Sequence, residues 1–157
     1  MEKIDKAMAA RVWKRVQEAS GQRPAKTVTP EPPQLQELIA RAWVDAALCQ
    51  RLMPYFSGSD RTALMQIARQ KQACMARLKG ICAMQTGAQP QIPAPPVPQG
   101  KPSELLRQCC DGTAHLAAQL ERLAALPDYG TECDQMARQA HAHQRQLLSL
   151  LGKVKYV

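Results

Sequence analysis

Apolar side chains recur along this chain at the spacing of one helical face, in five separate stretches. The first covers residues 3–19, where Ile4, Met8, Val12 and Val16 recur every four residues. Ser20-Gly21 closes it, and Pro24, Pro30, Pro32 and Pro33 make 21–33 a stiff linker. Residues 34–53 then carry Leu35, Leu38, Ile39, Ala42, Ala46, Cys49 and Met53, and Pro54 stops them. Ser57-Gly58-Ser59-Asp60 reads as a turn that caps the next helix. That helix, 61–85, shows Leu64, Ile67, Lys71, Cys74, Leu78 and Ile81 on one face. A further helix opens at Pro102-Ser103-Glu104 and reaches about residue 126, with Leu106, Cys109, Cys110, Thr113, Ala117 and Leu120. Pro127-Asp128-Tyr129-Gly130 is a turn, and 131–151 carries Cys133, Met136, Ala140, His143, Leu147 and Leu150.

These stripes suit the helices of a bundle and are too irregular for a long coiled coil. Two short loops predict two antiparallel hairpins. Between them lies 86–101, with Pro90, Pro93, Pro95, Pro96 and Pro98. At about 3.1 Å per residue in a polyproline II conformation, this segment is long enough to run the length of a bundle. The expected fold is therefore all-α: a four-helix bundle over 34–152, preceded by an amphipathic helix over 1–20. A near repeat supports a duplicated hairpin. Ala68-Arg69-Gln70-Lys71-Gln72-Ala73-Cys74 and Ala137-Arg138-Gln139-Ala140-His141-Ala142-His143 each fall late in the second helix of a pair.

Composition narrows the function more than the fold. At 157 residues the chain suits one domain with its own core, and aromatics at 4% leave aliphatic packing to build it. No run of about 18 apolar residues predicts a membrane span. The charged start (Glu2, Lys3, Asp5, Lys6) is unlike a secretory signal, so the expectation is a cytoplasmic protein. The six cysteines form no C-x-x-C pair, and most lie on the apolar stripes, where a reduced thiol acts as a small hydrophobe. The net charge of +8 is spread over every helix, without a basic face interleaved with aromatics, which argues against nucleic acid as the partner. The basic N-terminal helix is expected to dock on the bundle or on a second subunit rather than on a membrane.

Several segments together resemble the ferritin-like, rubrerythrin-related proteins of bacteria. They are Leu38-Ile39-Ala40-Arg41-Ala42-Trp43, Ala68–Cys74 with Leu78-Lys79-Gly80-Ile81, and Ala137–His143, and the likeness covers about 34–152. The resemblance implies two hairpins joined by a long crossover around a di-iron centre. In that family two helices each supply a Glu and two each supply Glu-x-x-His, all pointing inward. Carried over position by position, the Glu sites fall on Ala42, Lys71, Thr113 and Ala140, and the His sites on Cys74 and His143. Only His143 keeps the family residue, and no carboxylate remains to balance the charge of two metal ions. The rubredoxin-type cysteine pairs of full rubrerythrins are missing from the sequence as well.

What remains is a short set of candidates. Cys74 and His143 share the inner stripes and offer two ligands where a structural zinc takes four. His141 points away from His143, His115 lies just off its stripe, and Asp111 is a further candidate ligand. Lys71 is the anomaly. Its own periodicity buries it between Ile67 and Cys74, where an ammonium needs a carboxylate or carbonyls. Asp45, one turn after Ala42, is the expected counter-ion. No phosphate-binding loop and no nucleophile–base set appears. The expectation is a non-catalytic ferritin-like protein with no cofactor, acting through its surface or as a homodimer in which Trp13, Trp43 or the N-terminal helix takes part. The protein partner is unknown. The alternative is a residual metal-binding or redox protein holding iron or zinc through His143 and cysteines.

Overall fold

The computed structural model describes residues 32–126 and 129–154. The helix expected over 1–20 (with Trp13), residues 21–31 of the linker and residues 127–128 of the last turn lie outside the described residues. Four long helices carry the fold: α1 (Pro32–Leu52), α2 (Gly58–Thr86), α3 (Pro102–Ala124) and α4 (Gly130–Val154). A 3-10 turn at Met53–Tyr55 follows α1, and there is no strand among the described residues. No described helix is long and apolar enough to cross a membrane.

The helix ends depart from expectation in instructive ways. α1 already includes Pro32 and Pro33, because a proline in the first turn lacks only an N–H that had no helical partner. Gly58-Ser59-Asp60 belongs to α2 instead of forming a separate turn, and Ser57 makes no side-chain capping bond. Asp60 is engaged elsewhere, receiving Lys153 Nζ on both carboxylate oxygens at 2.9 Å. α2 extends to Thr86 and closes on Gly87, whose left-handed φ of 81° is open to a residue without Cβ. Its N–H bonds Ala83 O at 2.7 Å. α3 stops at Ala124, two residues short of the expected end, and α4 continues three residues beyond it, burying Val154.

Burial follows the predicted stripes. Leu35, Leu38, Leu78, Leu120 and Met136 share one apolar cluster, and Leu48, Leu64, Leu105, Leu106 and Leu147 share a second. Each helix contributes to both, and the order of its contributions sets its direction. α1 and α4 run from the first cluster to the second, while α2 and α3 run from the second to the first. The strand-free segment between Thr86 and Pro102 must therefore travel back along the helices. It does, packing Ile92 on the first cluster and Val97 on the second. Arg51 Nη1 fastens it by donating to Pro98 O at 2.9 Å and Val97 O at 3.4 Å. Helix α1 packs against α2 and against α3, and α3 packs against α4.

Candidate functional site

Between the two apolar clusters lies a layer of another composition. Asp45, Lys71, Thr113 and His143 are the buried polar side chains there, and Ala46, Ala117 and Ala140 are buried without belonging to either cluster. The layer takes one polar group from each helix. The six positions equivalent to the expected ligand set, Ala42, Lys71, Cys74, Thr113, Ala140 and His143, are all buried.

Lys71 is the organising group. Only 1% of it is exposed, in agreement with its helical phase between Ile67 and Cys74. Its Nζ donates to Thr113 Oγ1 at 3.0 Å and lies 3.7 Å from Asp45 Oδ2, the carboxylate expected from the sequence. A buried ammonium without such partners would face several kcal/mol of desolvation. Burial pushes the Asp45 carboxyl up to about 6, against the opposing pull of Lys71 and then Arg41. Asp45 fits because residue 112 is glycine. A Cβ there would stand 2.4 Å from Asp45 Oδ1, 3.2 Å from its Cγ and 3.3 Å from Arg41 Nη1.

His143 occupies the other side of the layer. Burial first, and the Lys71 charge second, press its imidazole down to about 3, so at neutral pH the ring carries no charge. Its Nε2 lies 2.5 Å from Gln70 Oε1, an oxygen that can only accept, so the proton sits on Nε2. Nδ1 then keeps a lone pair, buried and without a hydrogen-bond partner.

The cysteines are reduced and buried. Cys49 and Cys109 bring their sulfurs to 3.6 Å, and Cys109 Sγ also reaches Asp45 O at 3.8 Å. The Cys49 contact and then burial hold the Cys109 thiol well above its ordinary range. Burial pushes Cys74, Cys110 and Cys133 each up to about 11, which keeps them as neutral thiols rather than nucleophiles or metal-binding thiolates.

The remaining candidates are not drawn together. His141 pairs with Glu121, half-exposed His115 stands 3.9 Å from Glu37, and Asp111 is exposed. Cys74 and His143 share the interior without a hydrogen bond between them. Among the described residues, no group of three or more His, Cys, Asp or Glu side chains is placed to hold a metal ion. Trp43 is half-buried and receives Lys79 Nζ at 5.9 Å from its ring centroid.

Two members of the layer escape a reading of helical phase. Gln70 lies next to Lys71, off the apolar stripe, and nothing in its spacing singles it out as the partner of His143. Gly112 left a faint signal, as a mid-helix glycine that lowers helix stability and so calls for a packing reason. No family model, curated protein or solved structure matches this chain.

Proposed function

We propose that this protein is a metal-free, non-catalytic relative of the ferritin-like bundles that acts by binding through its surface, as a homodimer. The observation that carries the reading is Lys71 Nζ, buried between Asp45 and Thr113 where a di-iron relative would place carboxylates. An ammonium there repels a metal dication, and the one carboxylate nearby is already engaged by it. The residues present therefore do not fit an iron centre. Helix directions support the same ancestry, since a crossover that runs the length of the helices between two hairpins is the ferritin-like plan. On this reading a polar cluster has taken over the metal's structural role of tying four helices together at mid-height.

One observation favours the alternative of a residual metal site, namely the unpartnered lone pair on His143 Nδ1. Cys74 opposes it, because forming a thiolate is costly where burial holds the thiol near 11.

Elemental analysis of the full chain purified without chelator, alongside light scattering of the same sample, tests the reading. The expected result is a dimer with metal far below one equivalent. Stoichiometric iron overturns it. Stoichiometric zinc or copper that disappears in His143→Ala establishes the alternative instead, and a strict monomer removes the homodimer.

A further inference from the structure

Helices α2 and α4 do not close on each other as α1 and α3 do. The side-chain bonds across their seam are Gln70 to His143 and Asp60 to Lys153. Beside these opens a cleft of about 790 Å³. Its chemistry is uniform. Arg138, Arg145, Gln139 and Gln146 of α4 face Gln66 and Gln70 of α2, and Ser149 adds a hydroxyl. The wall contains no carboxylate and no Phe, Tyr or Trp; the nearly fully buried imidazole of His143 is its one ring, and Ala142 is its one apolar side chain.

Three features of this wall select a ligand class. Arg138 and Arg145 are seven residues apart, which puts them on one face of α4 with an axial separation of roughly 10 Å. Arg145 has no ion pair among the described residues, and Arg138 shares its charge only with exposed Asp134, one turn back on the same helix. The cleft thus presents guanidinium charge at two points and uncharged donors and acceptors between them. His143 helps to set those donors. By giving Nε2–H to Gln70 Oε1, it leaves the Gln70 amide NH2 as the free donor. Guanidinium forks match phosphate oxygens, and amides with a hydroxyl match the hydroxyls of a polyol. A nucleobase would find no exposed ring to stack on, and an acyl chain only Ala142 to pack against.

We infer that the α2–α4 cleft is a binding site for a phosphorylated polyol with an anionic group at each end, of the sugar bisphosphate class. The site does not depend on the metal-free reading, because the cleft lies on the opposite seam from Asp45 and needs no metal.

Calorimetric titration of the full chain with fructose 1,6-bisphosphate, at about 0.15 M salt to suppress diffuse attraction, tests this. Fructose 6-phosphate and inorganic tripolyphosphate serve as comparators. Saturable one-to-one binding is expected, with Arg145→Gln and Arg138→Gln each weakening it by about tenfold or more, the loss of a charge-assisted hydrogen bond. Arg107→Gln, an equal charge change on exposed α3, should leave the affinity within about twofold. In nitrogen-resolved NMR spectra the Gln70 side-chain amide and the His143 ring should shift on binding. Three results overturn the proposal: no saturable binding, equal losses from Arg107→Gln and Arg145→Gln, or tripolyphosphate and fructose 6-phosphate binding as tightly as the bisphosphate. The first two remove the site, and the third removes its specificity for a bisphosphorylated polyol.

Discussion

The two seams between the hairpins solve the same packing problem in opposite ways. At the α1–α3 seam, Gly112 lets Asp45 and Arg41 approach the α3 backbone, Cys49 meets Cys109, and the crossover lies over the outside. At the α2–α4 seam, glutamines and arginines stand between the helices and leave a cleft. Small residues let helices close, while long polar ones hold them apart. The contrast also explains the layer at mid-height. The Lys71 charge is directed toward the closed seam, where Asp45 compensates it, and neutral His143 is directed toward the open one.

The largest effects should come from breaking the closed side. Lys71→Met leaves Asp45 a buried carboxylate without its counter-charge and is expected to cost about 3–5 kcal/mol in urea unfolding. Asp45→Asn strips Lys71 of its partner but also removes a charge that burial disfavours, and should cost less. The double variant should cost much less than the sum, since removing both charges removes the desolvation problem. If the two single costs simply add, the groups do not act as a pair.

Next in size is the response to acid, where the two sides of the layer have opposite signs. Asp45 rises from 3.8 to about 6, so its folded form binds the extra proton and stability from this group increases as pH falls from about 6 to 4. His143 falls from 6.5 to about 3, so its unfolded form binds the extra proton and stability is lost as pH falls below 6.5. In the shared window the two slopes nearly cancel, and below about pH 4 the histidine alone continues. His143→Gln should therefore become more stable between pH 6 and pH 4, by up to about 3 kcal/mol. Asp45→Asn should lose stability over the same range. Denaturation midpoints at pH 7, 5 and 4 distinguish the two slopes, and identical profiles for both variants would refute the assignment.

Gly112→Ala drives a methyl group into Asp45 and is expected to cost about 1–3 kcal/mol even though alanine is the better helix former. Gly80→Ala is its counterpart on α2, where a Cβ meets nothing within 4 Å. That change should stabilise by about 0.5–1 kcal/mol. Equal effects at the two glycines would mean that the closed seam has room to relax. Smallest of all, Arg145→Gln on the open seam should alter unfolding stability by less than about 0.5 kcal/mol, whatever it does to ligand binding.

Much of this molecule could be read before its coordinates. The four helices follow from apolar spacing, and the burial of Lys71 follows from its phase between Ile67 and Cys74. Asp45 as its counter-ion follows from being one turn past Ala42. The helix start at Gly58 differs from expectation where Asp60 meets Lys153 on another helix, a partner that local capping signals do not anticipate. The spacing puts Thr113 on the inner face as an equivalent of Ala42 but carries no sign that its hydroxyl accepts from Lys71. Gln70 stands in the sequence only as part of a near repeat, with nothing to mark it as the partner of His143, and the cleft has no local signature.

The division has a physical cause. Helical phase is a property of the chain taken locally, since 3.6 residues per turn decide which side chains face inward wherever the helix lies. Which inward groups touch depends on the separation of pairs of helices, and that is set by the bulk at the seam: Gly112 on one side, Gln66, Gln70 and Arg145 on the other. The order of residues therefore determined four amphipathic helices with a lysine in their interior. Only tertiary packing decided that this lysine turns toward Asp45 and Thr113, that His143 gives its proton to Gln70, and that the seam beside it stays open.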